Sequence, residues 1–255
     1  TTISLPANVI LRGKGRGVTT IQSTSGSAVF TLTGDNAGFM FMTLDGVSQV
    51  ASSVGIVMKS RDETIFHDFE VKRFEKGVYA YGGRYMNWRD FYIDNCVDGI
   101  FLYGEDDSSN GDELRHLSWC GGIISNCTTT GLTLSYEDKK CWHNHFADIG
   151  FDTNTGTALK VNGARYTELD DCWWASNTTN LAVLDDTDTT VNTNTVVGLH
   201  FNGGSMDGGA ATLADTCQGV IFEKMEITDV DFTLTGLKNT ILWLDCVEDS
   251  LVTLS

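Results

Sequence analysis

The chain has 255 residues, with 34 Asp plus Glu against 17 Lys plus Arg and a formal net charge of -17. A nucleic-acid partner needs a basic footprint and is not expected. Apolar residues make up 41% of the chain, enough for a folded core, and no apolar run reaches membrane-spanning length, so no membrane insertion is expected.

The charge is uneven. Residues 1–100 carry 10 acids and 10 bases, whereas residues 101–255 carry 24 acids and 7 bases. Proline occurs once against 27 glycines, so the chain turns by other means, and a regularly repeating coil is one candidate. A start at Thr1 without Met is expected of a processed chain or an excised fragment, and no basic-then-apolar leader precedes it.

In chain order, a first strand leads into Leu11-Arg12-Gly13-Lys14-Gly15-Arg16-Gly17 and then Thr19-Thr20-Ile21. The glycine-rich stretch lacks the last Gly of a dinucleotide fingerprint and the Gly-Lys-Ser/Thr of a P-loop, so it reads as a tight corner. A repeat follows. Gly55-Ile56-Val57-Met58 recurs at Gly77, Gly99 and Gly131, in steps of 22, 22 and 32 residues, with weaker copies starting at Thr157 and Leu181 after steps of 26 and 24. Each copy alternates with period two, as a short strand does. A second strand follows in each unit, as in Asp68-Phe69-Glu70-Val71 and Asp90-Phe91-Tyr92-Ile93, and then a polar turn such as Asp94-Asn95-Cys96 or Ser125-Asn126-Cys127.

Units of about 22–26 residues with two or three strands and no helix predict an all-β solenoid, the single-stranded right-handed parallel β-helix. The leucine-rich-repeat pattern is missing, and a β-sandwich is the alternative. The expected organisation is one domain over 1–255, with a first coil at 1–30, regular coils over 28–184 and irregular coils over 185–255. Stacking predicts an amide ladder of Asn95 over Asn126 and a thiol stack of Cys96 over Cys127. The seven cysteines form no CxxC pair and have no zinc-finger spacing, so buried free thiols and maturation in a reducing compartment are expected.

Two acidic loops interrupt the period. Glu105–Glu113 begins like an EF-hand but has Leu117 where the bidentate Glu belongs, so Asp106, Asp107 and Asp112 are expected to bind divalent cations only weakly. No other cofactor and no metal are expected. The second loop runs from Asp185-Asp186-Thr187-Asp188 to Thr195, and such insertions often wall a binding groove.

With Phe69, Phe91, Leu117 and Phe146 as an inward column, alternation places Asp68, Asp90, His116, His145 and Asp170 outward on successive coils. Glu70, Tyr92 and Ser118 form a parallel outward column. Like charges on adjacent strands repel, so their alignment points to a polar groove whose crowding raises one carboxyl pKa. Asp68, Asp90 and Glu70 are the candidate catalytic acids. Asp68 and Asp90 would stand about 5 Å apart, as in a retaining glycosidase, and a diagonal pair or one two coils apart would approach the inverting range of about 6.5–9.5 Å. His116, His145, Tyr92, Arg89, Asp170 and Trp173 are the candidate substrate contacts, with one ring of Trp173-Trp174 expected outward as a sugar platform.

The opening from Leu5 through Ile21, the 22-residue coils and the Asn turns together resemble pectate-lyase-like β-helices, in particular bacteriophage tailspikes and related polysaccharide depolymerases. The resemblance covers most of residues 5–184 and is architectural, with no catalytic motif matched residue by residue. It implies a homotrimer on the virion tail, extracellular in use and assembled in the host cytoplasm, that binds a bacterial capsular or O-antigen polysaccharide. Three functions stay open: hydrolysis by paired carboxylates, a noncatalytic receptor-binding or structural role, and a polysaccharide lyase. The lyase would need a metal or contacts on the side of Arg61, Arg84, Arg89 and Arg115 to neutralise a substrate carboxylate.

Overall fold

A computed structural model describes residues 2–104, 113–136, 141–183, 196–214, 217–235 and 241–254. All the strand pairings are parallel, and strands inside the stack pair with one coil before and one coil after. The strand Ile65–Lys72, for example, lies between Gly38–Asp45 and Asn87–Asp94. The described residues contain no helix, and the coils build the right-handed parallel β-helix that the repeat predicted.

The glycine repeat marks the register. Ile56, Val78, Ile100, Leu132, Leu159 and Leu181 stack in one column, so Gly55, Gly77, Gly99 and Gly131 stack beside them. A Cβ at Gly77 or Gly99 would lie 2.4 Å from the carbonyl oxygen of the next coil, which explains the residue type. Later coils place Ala158 and Asn180 there, not Thr157 and Leu181, so the expected alignment is off by one residue at each. The register signal fades where its glycines end.

A second correction concerns the core. Phe69 and Phe91 do share an inward column, but it continues through Gly122 and Ile149. The Phe91 ring occupies the space of the missing side chain at Gly122, where a Cβ would lie 2.4 Å from a ring carbon. Phe146 belongs to the column of Phe39, Phe66, Trp88 and Trp119, all fully buried, in which Trp88 and Trp119 stack at 4.1 Å. Leu117 sits at the preceding corner, where its N–H donates to Asn144 Oδ1 at 3.2 Å.

The thiol stack of Cys96 and Cys127 is present and buried. The amide ladder lies one residue inward of its expected place. Asn95 and Asn126 are exposed, and the ladder is built from Asn154 and Asn177, which continue the cysteine column. Asn154 Oδ1 accepts from the Cys127 N–H, and Asn177 Oδ1 from the Asn154 N–H, both at 2.9 Å. The two acidic-loop segments carrying Asp106, Asp107, Asp112 and Asp185–Asp188 lie outside the described residues.

Burial pushes the thiols of Cys96, Cys141 and Cys172 up to about 12, and that of Cys127 well above its ordinary value, whereas Cys120 is exposed. A thiol reagent on the native protein is expected to label Cys120 fast, and Cys96, Cys127, Cys141, Cys172 and Cys217 only on unfolding. Mass-spectrometric mapping of labelled peptides checks this.

Candidate active site

In five successive coils the second strand, or the position just past its end, holds one aligned residue with left-handed backbone. These are Asp68, Asp90, Gly121, Asp148 and Asp171, with φ of 47°, 52°, 67°, 53° and 49°. Asp tolerates that conformation better than most residues because its short side chain can hydrogen-bond locally. The kink shifts the alternation, so two successive residues face outward. Trp88 is buried, Arg89 and Asp90 are both exposed, and Phe91 is buried again. Because the flanking residues stay in register, the kinks stack in one column that starts at Phe41, carries carboxylates at Asp68, Asp90, Asp148 and Asp171 with a gap at Gly121, and continues through Gly203 and Lys224.

Gly121 shapes the site. A Cβ there would lie 3.0 Å from Asp90 Oδ1, so the Asp90 carboxylate leans over the glycine. A cavity of about 260 Å³ opens at this point, lined by Arg16, Asp90, Gly121, Ile123, Asp148 and Trp173. A second hollow of about 350 Å³ shares Arg16 and Ile123 with it and adds Gly17, Glu70 and Tyr92. The two form one polar groove across the coils.

Arg16 reaches the groove from the glycine-rich corner of the first coil. Gly15 N–H donates to the Phe41 carbonyl and Gly17 N–H to Thr43 Oγ1, both at 2.9 Å, which docks the corner on the next coil. Arg16 Nε then lies 3.6 Å from Asp68 Oδ1, and His67 Nε2 lies 2.9 Å from Asp90 Oδ2. Each member of the expected acid pair therefore has its own basic partner. Asp148 is exposed and has no ion pair among the described residues. Glu70 is buried, accepting from Thr43 Oγ1 at 2.8 Å and from Lys72 Nζ at 3.0 Å, so both of its oxygens are engaged in the groove floor.

Of the predicted residues, Asp68, Asp90, Glu70, Tyr92 and Trp173 meet around this groove, and Arg89 is exposed beside it. Trp173 faces outward over Gly150, where a Cβ would lie 2.1 Å from its ring, and Trp174 is buried, as the pair was read. His116, His145 and Asp170 do not join them. His116 stands at another corner, in an exposed stack with Tyr85, His143 and Tyr166 at centroid spacings of 5.3–5.7 Å. His145 is in register with Ser118, so Ile123 takes the place expected of Ser118 beside Tyr92. Asp170 is one column away from the kinks and pairs with His145 at 2.7 Å. His116 and His145 precede the kink residues of their coils, Gly121 and Asp148, by five and three positions, an error of coil alignment across the 32-residue step, whereas Asp170 precedes Asp171 by one, the position the kink adds.

Three of the four arginines considered for a lyase are occupied at the other corner. Arg84 binds Asp62, Arg115 binds Glu113, and Arg61 donates to the Leu32 carbonyl. Sequence reasoning missed Arg16, His67, Gly121 and Asp148. A usable signal was present: counting back six residues from Cys96, Cys127, Asn154 and Asn177 reaches Asp90, Gly121, Asp148 and Asp171.

Solved structures with this architecture include ORF18 of Geobacillus virus E2, at TM-score 0.59 and 15% identity over 100% of this chain and 52% of that one. Another is the catalytic domain of a GH87 alpha-1,3-glucanase in complex with tetrasaccharides, at TM-score 0.61 and 11% identity over 96% of this chain and 53% of that one. The chain spans about half the length of each. No protein-family profile matches it, and no curated protein is significantly similar to it in sequence. Its fold, like theirs, is the right-handed parallel β-helix.

Proposed function

We propose that the groove binds a bacterial surface polysaccharide, capsular or O-antigen, and hydrolyses its glycosidic bonds, in a tailspike-type homotrimer on a phage virion tail. The observation that carries this reading is the pair Asp90 and Asp148 on either side of Gly121. Two coils separate their backbones by about 9.6 Å, and Asp90 leans over the glycine toward the coil of Asp148, which shortens the gap between the carboxyls toward the roughly 6.5–9.5 Å of an inverting glycosidase. That separation leaves room for a water.

In this mechanism the Asp90–His67 pair delivers a proton to the leaving glycosidic oxygen as the C–O bond breaks. Asp148 takes a proton from the water, whose oxygen attacks the anomeric carbon from the opposite face. Trp173 offers a ring on which a sugar stacks, and Arg16 donates to its hydroxyls. The alpha-1,3-glucanase and phage neighbours support the substrate class and the setting.

The test is incubation with a panel of capsular and O-antigen polysaccharides, following reducing ends and the ultraviolet absorbance of unsaturated uronate. Reducing ends without absorbance are expected; both together would indicate a lyase. Binding with neither signal would leave a noncatalytic receptor-binding β-helix. Trp173→Ala is expected to raise KM roughly fivefold, about 1 kcal/mol of lost stacking, with little change in kcat.

A further inference from the structure

Beyond the groove, the same sheet carries a second constellation that the proposed hydrolysis does not use. The strands His145–Asp152, Ala164–Asp170 and Val197–Asn202 lie side by side, and their outward columns alternate imidazole with carboxylate. His145 faces Glu168, which faces His200. Two residues further along, Ala147 faces Asp170, which faces Asn202 and then Glu223. Residues at i and i+2 of a strand share a face, so Glu168 and Asp170 both point toward the ring of His145.

We propose that His145, Glu168 and Asp170 form a surface site for a first-row transition-metal dication of the zinc class. Their donor atoms all lie within 4.8 Å of one another, and His145 Nε2 is 2.7 Å from Asp170 Oδ2. An ion with ligand bonds of about 2.0–2.2 Å would replace the hydrogen bond between His145 and Asp170, these two atoms parting to about 3.4 Å as Glu168 moves in, adjustments open to half-exposed side chains. The donor type selects the ion: an imidazole beside two carboxylates suits zinc, cobalt or nickel, whereas calcium and magnesium prefer an all-oxygen shell.

The surroundings match a metal site's outer shell. Asn202 Nδ2 donates to Asp170 Oδ1 at 3.1 Å, which turns Oδ2 toward His145. His200 lies 3.7 Å from Glu168 Oε1 through Nδ1 and 3.2 Å from Glu223 Oε2 through Nε2, so it orients Glu168 and is in turn held. Such partners orient ligands and commonly account for tenfold or more of affinity. All three ligands come from strands and none from loops, so their backbones are already placed. Three protein ligands leave a position open for water or a solute.

The experiment is a calorimetric titration of the whole chain with zinc chloride, beside His145→Ala, Asp170→Asn, Asn202→Ala and, as a control, His116→Ala. One saturable equivalent is expected for the wild type and for His116→Ala, with at least about tenfold weaker binding in the other three. Absence of stoichiometric binding, or equal affinity in His145→Ala and Asp170→Asn, would overturn the proposal. A measurement on the unaltered chain guards against misfolded variants. Substoichiometric cobalt should broaden the imidazole proton signals of His145 and His200 while sparing His116, and uniform broadening of all histidines would count against the site. Neither readout depends on hydrolysis, so the site and the proposed activity stand or fall separately.

Discussion

Asp148→Asn is expected to slow polysaccharide cleavage by about 10²- to 10⁴-fold, the usual contribution of a positioned acid or base, with glycan binding and circular dichroism unchanged. Asn also tolerates the left-handed backbone at this position, where φ is 53°, so the loss would not come from strain. Asp90→Asn should match it, and Asp68→Asn should cost less than about tenfold because its carboxylate serves Arg16 across the groove. Nuclear magnetic resonance of the first products should show an inverted anomer. A retained anomer, with Asp68→Asn inactive and Asp148→Asn active, would transfer the chemistry to the adjacent pair, about 5 Å apart. Gly121→Ala tests the opening between them. Its Cβ would lie 3.0 Å from Asp90 Oδ1 on a backbone with φ of 67°, so activity should fall even though no acid is removed.

The largest effect on stability is expected at Asn177. Its Oδ1 accepts from the Asn154 N–H and Nδ2, and its Nδ2 donates to the Phe151 carbonyl at 2.8 Å and to Asn180 Oδ1 at 3.0 Å. Asn177→Ala leaves a backbone donor and a backbone acceptor unpaired in the interior. At about 1–3 kcal/mol for each orphaned group, the loss should be about 2–5 kcal/mol, read as a lower urea midpoint with unchanged slope. The exposed Asn126→Ala, which loses the bond from its amide to Asp94 and the one it accepts from Thr153, should cost well under half as much. A loss below about 1 kcal/mol at Asn177 would mean that water replaces the amide.

The fold was legible because its determinants are local and periodic. Glycines recurring at 55, 77, 99 and 131 reported where one coil approaches the next, and alternation beside them reported which residues face the core. The same reasoning placed Asp68 and Asp90 outward on neighbouring coils, paired Glu70 with Tyr92, stacked Cys96 on Cys127 and separated Trp173 from Trp174. It went astray at Leu117, in the coil lengthened by the 32-residue step, and again after Gly131, where Ala158 and Asn180 replace the marker glycine.

The site itself depended on two things that no local pattern contains. A left-handed residue in these second strands adds an outward position, which set Asp170 one column aside, and the register of the coils across the 32-residue step put Gly121 and Asp148, not His116 and His145, in line with Asp90. Stacking then joined residues far apart in the chain, so that Arg16 on the first coil meets Asp68 and His145 meets Asp170. The sequence by itself determined a coil of parallel strands with an acidic outer face, because hydrophobic periodicity acts over a few residues. The tertiary structure alone decided which acids face each other across Gly121, because a backbone kink and the stacking of distant coils set that register.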